Sequence, residues 1–171
     1  MDLSAFYGAF SPACFALLGL WLVAVQVRLP VWEKDPERRR RSYGVALHFA
    51  LPGMMSMFAL IDVQTPVFWR VSFGIIGLGG AVVMIAVWGY PLPREHAQAG
   101  RGRLPAADRL GLAAYVAALV LYVLIGVLAV VGGLSALRTE AVLQTLLVFL
   151  GFNVAWLLLL DDRTPVPAGG P

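Results

Sequence analysis

The chain has 171 residues, of which 60% are apolar and 13% charged, with a formal net charge of +3 and a mean hydropathy of +0.79. Soluble domains average roughly 45–50% apolar and about 25% charged residues, so this composition excludes an ordinary water-soluble globule and demands lipid around it. The basic balance does not point to nucleic acid, because the basic side chains gather in two inter-helix segments where membrane topology explains them.

A helix needs about 20 mostly apolar residues to cross a hydrocarbon core of about 30 Å, since it must satisfy its own backbone there. The first uncharged run, Leu3 to Val27, meets that length. It follows Asp2 rather than a basic residue and is far longer than the roughly 7–15 residues of a signal-peptide core, so a retained span is expected. Within it, Cys14 is the single cysteine, which excludes an intrachain disulfide, and Trp21 is expected to pack between helices. A polar segment follows, holding Arg28, Lys34 and the run Arg38, Arg39, Arg40 and Arg41, interleaved with Glu33, Asp35 and Glu37.

The second run, Tyr43 to Ile61, contains Pro52 and Gly53 and ends at Asp62; the third is Val71 to Tyr90. After a loop with Arg94, Arg101, Arg103 and Arg109 comes the fourth, Leu110 to Leu134, then Arg138 and Glu140, then the fifth, Ala141 to Leu160. Residues 161–171, rich in Pro and Gly, have the composition of a disordered tail. The expected fold is therefore all-α: a polytopic membrane bundle of five transmembrane helices over residues 1–160.

Eleven of the thirteen basic residues fall in the first loop, the third loop and the tail, against Arg70 and Arg138 on the other side. The positive-inside rule then places the N-terminus outside and the C-terminus in the cytoplasm. Twelve arginines against one lysine, with abundant Ala, Gly and Pro, point to a gene of high G+C content and to a bacterial plasma membrane. Tyr7 and Trp69 would mark the outer interface, and Tyr43, Trp88, Tyr90 and Trp156 the inner one.

Small residues mark packing seams in lipid, where close backbone approach replaces the hydrophobic drive. Gly74, Gly77 and Ala81 in the third span, and Gly151 and Ala155 in the fifth, are the expected helix-packing positions. Polar groups at membrane depth are costly and so mark function. His48, Gln144 and Asn153 form a candidate polar path or pH-sensing set in which His48 and Asn153 could meet through a hydrogen bond; the alternative is a neutral His48 hydrogen-bonded to a backbone carbonyl or water. Asp62, Arg70, Arg138 and Glu140 form a candidate outer charge cluster. Spans one and four look suited to face lipid, leaving spans two, three and five to carry any function.

No zinc, P-loop or nucleophile-elbow pattern occurs, so an enzyme is not expected and no cofactor is implied. Met54, Met55 and Met57 lie near His48 and invite a Cu(I) site at His48 and Met55, although helical geometry spreads the three thioethers over different faces. The expected role is a non-enzymatic membrane protein that associates through its helices with itself or a partner membrane protein. The alternative is a transporter or channel subunit with a polar path between spans two, three and five. A third reading, a membrane enzyme, requires His48 to join Asp161 or Asp162 at the cytoplasmic face. Arg38, Arg39, Arg40 and Arg41 would attract anionic lipid headgroups.

Overall fold

In a computed structural model that describes residues 2–32, 35–61, 66–88, 106–133 and 136–160, the chain forms five α-helices. They are α1 (Leu3–Trp32), α2 (Pro36–Ile61), α3 (Pro66–Trp88), α4 (Ala106–Val131) and α5 (Ala136–Leu160). All five are long and apolar enough to cross a membrane, the architecture of a multi-pass membrane protein. Asp62, Tyr90, the arginines of the third loop at 94, 101 and 103, and the tail 161–171 with Asp161 and Asp162 lie outside the described residues.

Four of the helices start earlier than their uncharged runs, for local reasons. Asp35 caps α2: its Oδ1 accepts hydrogen bonds from the backbone N–H of Glu37 at 3.0 Å and Arg38 at 3.1 Å. Such a cap contributes about 1 kcal/mol. Ion pairs Asp35–Arg38 and Glu37–Arg41 then hold the polar first turns in helical register. Part of the arginine run is therefore neutralised on α2 itself, and Arg39 and Arg40 are the members left exposed. Asp2 caps α1 in the same way, through Ser4 N at 3.0 Å and Ala5 N at 3.2 Å. Helix α3 opens on Pro66, at the position where a missing N–H costs nothing. Helix α5 opens at Ala136, which puts Arg138 and Glu140 on the helix rather than ahead of it.

Successive helices pack side by side, and α5 returns to touch both α2 and α1. Helices α2 and α5 thus form the diagonal of the bundle, and α2 is the most buried of the five. Specific contacts fix each register. Ser11 Oγ donates to Gly53 O at 3.1 Å and Trp21 Nε1 to Ser42 O at 3.0 Å, locking α1 antiparallel to α2. Trp21 is a packing residue as expected, tilted on Trp32 with ring centres 6.1 Å apart.

The small-residue seams are used inside the bundle. A Cβ added at Gly77 would lie 2.6 Å from Gly126 N and 2.9 Å from its Cα, so α3 and α4 touch backbone to backbone. A Cβ at Gly151 would meet His48 Cβ at 2.5 Å, seating α5 on α2. Gly74, Ala81 and Ala155 are buried beside them. The outward faces carry side chains such as Leu20, Val27, Ile75, Val82 and Val131, ordinary for a surface in lipid.

Two expectations need correction. Spans one and four do not merely face lipid: Tyr7 of α1 and Tyr122 of α4 are fully buried. Neither Tyr7 nor Trp69 sits as an amphipathic marker at the bundle surface, since both are 0% exposed within the core. The sequence pattern misleads there because a ring one turn inside a helix end can as easily turn inward as reach headgroups. By contrast Tyr43 and Trp156 are exposed, as an interfacial ring must be.

Candidate functional site: a buried polar face on α5

Helix α5 turns Glu140, Gln144, Leu147, Gly151, Ala155 and Leu158 toward the core, a spacing of three and four residues that keeps one face inward. Glu140 comes first and is 0% exposed. Among the described residues neither of its carboxyl oxygens has a hydrogen-bond partner. The Tyr7 hydroxyl donates to Leu137 O at 3.0 Å, one turn before Glu140. Tyr7 sets its ring edge-on to Phe73 at 6.3 Å, and Trp69 sets its own edge-on to Phe73 at 5.9 Å. Trp69 Nε1 also has no partner. Tyr7, Phe73 and Trp69 thus form one aromatic cluster of α1 and α3, tied to α5 through Leu137, one turn before the buried Glu140.

One turn deeper, about 6 Å along the axis, Gln144 is likewise fully buried. Its Oε1 accepts from Ser56 Oγ at 3.0 Å, while its Nε2 has no partner. The Ser56 hydroxyl also lies 2.8 Å from Pro52 O, so its single proton serves two acceptors.

About 10 Å further on, Gly151 opens space for His48. The imidazole is buried, with Nδ1 2.7 Å from Gly44 O. A carbonyl only accepts, so Nδ1 carries the hydrogen, and Nε2 is left without a partner. Tyr122 closes this level: its ring lies 6.0 Å from the imidazole and its hydroxyl donates to Leu47 O at 3.3 Å. Pro52, four residues after His48, has no N–H for the His48 carbonyl. Between the Gln144 and His48 levels sit Met55 and Leu147, both fully buried. The polar groups therefore form two separate sites and not one continuous path.

His48 and Gln144 are both buried, whereas His48 and Asn153 do not meet. Asn153 is on the exposed side of α5 and donates from Nδ2 to Phe149 O at 2.7 Å. The outer charge cluster is not assembled among its described members. Arg70 donates from Nε to Ala129 O at 3.0 Å and from Nη2 to Val130 O, Arg138 is exposed, and Glu140 is buried apart from both. The methionines diverge as helical geometry requires, with Met55 in the core and Met54 and Met57 exposed. Sequence reasoning missed Tyr7, Trp69, Ser56, Tyr122 and Gly126. Of these, helical spacing does place Ser56 on the face of His48, eight residues away, but not its bond to Gln144.

The chain matches no protein family, no curated protein and no solved structure. Its chemistry rests on its own residues.

Proposed function

We propose that the protein is a small cation-handling transport protein or transport subunit, with Glu140 as the group that receives the cation inside the bundle. One observation supports this reading above others: a fully buried carboxyl whose two oxygens have no partner among the described residues. A carboxylate removed from water costs several kcal/mol unless a positive partner joins it, and intramembrane acids are retained where ions or protons move. The packed rings of Tyr7, Trp69 and Phe73 favour a small occupant, a proton or an alkali ion. Location in a bacterial plasma membrane with the N-terminus outside belongs to the same proposal. It is supported by the sequence placement of eleven of the thirteen basic residues in the first loop, the third loop and the tail.

The test is uptake by proteoliposomes under imposed proton, sodium or potassium gradients, read with ion-selective dyes. Flux above that of empty vesicles is expected for one of these ions, and Glu140→Gln should lower it at least tenfold. Wild-type protein that passes none of them, or a Glu140→Gln variant with full flux, would end the proposal.

Self-association is a second reading, compatible with the first. It is favoured by Asn153, whose amide lies on an exposed stripe with Leu146, Phe149, Trp156 and Leu160. An amide facing lipid is costly, and an identical amide across a twofold axis supplies both donor and acceptor. Native mass spectrometry should find a dimer that Asn153→Leu converts to monomer; a monomeric wild type rejects this.

A further inference from the structure

Beside the core, the outward side of α3 holds a groove of 530 Å³, lined by Val67, Arg70, Val71, Gly74, Ile75 and Leu78 with Val130 of α4 opposite. We propose that this groove binds one anionic phospholipid, its acyl chain along α3 and its phosphate on Arg70. The inference is independent of the cation site, because none of these side chains belongs to it.

Three features of the groove support that occupant. The first is length. Val67 to Leu78 covers about 16 Å of helix, close to half of a hydrocarbon core of about 30 Å, which is the depth of one leaflet. The second is chemistry: apart from Arg70 every lining residue is apolar, and Val67, Val71, Ile75 and Val130 are all more than half exposed. A peptide or a polar solute would leave its own polar groups unpaired against such a wall, whereas an acyl chain would not. The third is charge placement. Arg70 lies near the end of the groove where α3 begins, and its Nε and Nη2 are held on the terminal carbonyls of α4, Ala129 O and Val130 O. These bonds fix the guanidinium in place and leave Nη1 without a partner among the described residues. A guanidinium fixed at the mouth of an apolar slot recognises phosphate oxygens with several donors at once.

Gly74 sits on the floor and provides a clean variant. A Cβ there would meet only Val130 Cγ2, at 3.7 Å, an ordinary contact. A first side-chain atom is thus tolerated at this position, and Gly74→Leu is the substitution that puts bulk into the slot while leaving Arg70 and its carbonyl partners in place.

The experiment is native mass spectrometry of the full chain, released from micelles doped in turn with phosphatidylglycerol, phosphatidylcholine or oleate. One phosphatidylglycerol per chain should survive, retained roughly fivefold better than phosphatidylcholine, the preference of about one interfacial arginine. Gly74→Leu should abolish retention of that one lipid at unchanged unfolding temperature. Arg70→Lys keeps the charge and should retain most of the preference, while Arg70→Gln should remove it. Equal retention of both phospholipids, retention unaffected by Gly74→Leu, or binding of oleate in preference to phosphatidylglycerol would each overturn the proposal.

Discussion

Replacing Glu140 with leucine is expected to raise the unfolding temperature of the purified protein by about 4–8 °C while abolishing cation uptake. The reasoning compares two similarly sized side chains in the same fully buried position. The carboxyl has lost its water and gained no donor among the described residues, and an unpaired buried polar group costs about 1–3 kcal/mol. Leucine removes that cost and adds apolar contact with Tyr7 and the rest of the core. For a chain of this size about 2 kcal/mol corresponds to the shift given. A gain in stability with loss of activity is the signature of a residue kept for use rather than for folding. If Glu140→Leu instead lowered the unfolding temperature, the carboxyl would have a structural partner and the cation proposal would lose its support. Differential scanning fluorimetry in detergent, paired with the vesicle assay, separates the two outcomes.

Gly77→Ala should act in the opposite direction and by a similar or larger amount. Its new methyl group would sit 2.6 Å from the Gly126 nitrogen, a backbone atom that cannot rotate away. Helices α3 and α4 would have to separate, opening the seam on which Tyr122 and Gly80 also meet. Overpacking of this kind costs about 1–3 kcal/mol, so a fall of roughly 5–10 °C is expected. Gly79→Ala is the control. Nothing lies within 4 Å of its added Cβ, and alanine is the better helix former by up to about 1 kcal/mol. Its unfolding temperature should hold or rise slightly. Equal losses in the two variants would mean that helix propensity, and not the seam, decides stability here.

Much of this architecture was readable in the amino-acid order because lipid imposes a strict rule on length and charge. Each uncharged run contains most of one helix, and the core-facing sides of α3 and α5 follow from Gly77, Ala81, Gly151 and Ala155 at helical spacing. Helix starts were less readable. Asp35 extends α2 through a cap that a hydropathy average does not weigh, and Pro66 and Ala136 likewise open α3 and α5 before the charge-free stretch begins. The candidate site was half legible. Gln144 and His48 stand out as polar residues in apolar surroundings, and Glu140 stood out for its charge. Its lack of partners could not be read, because Arg70 and Arg138 lie close in sequence distance from the helix ends and look like natural counter-ions. Only packing reveals that Arg70 is committed to the end of α4. Tyr7 and Trp69 were misassigned for a related reason: composition states that a ring is near a helix end, but not which way the helix is turned.

The diagonal pairing of α2 with α5 also bears on how the protein is made. During synthesis α1 with α2, and α3 with α4, can form antiparallel pairs as soon as each second helix emerges, with their registers set by local neighbours. Helix α5 is the last of the five to leave the ribosome, yet it carries Gln144 for Ser56 and Gly151 for His48. Until it docks, Ser56 lacks Gln144 and His48 lacks its α5 neighbour, although Tyr122 of α4 already lies beside the imidazole. The four-helix stage thus leaves the seat for α5 on α2 open, and α5 is the segment whose arrival closes it.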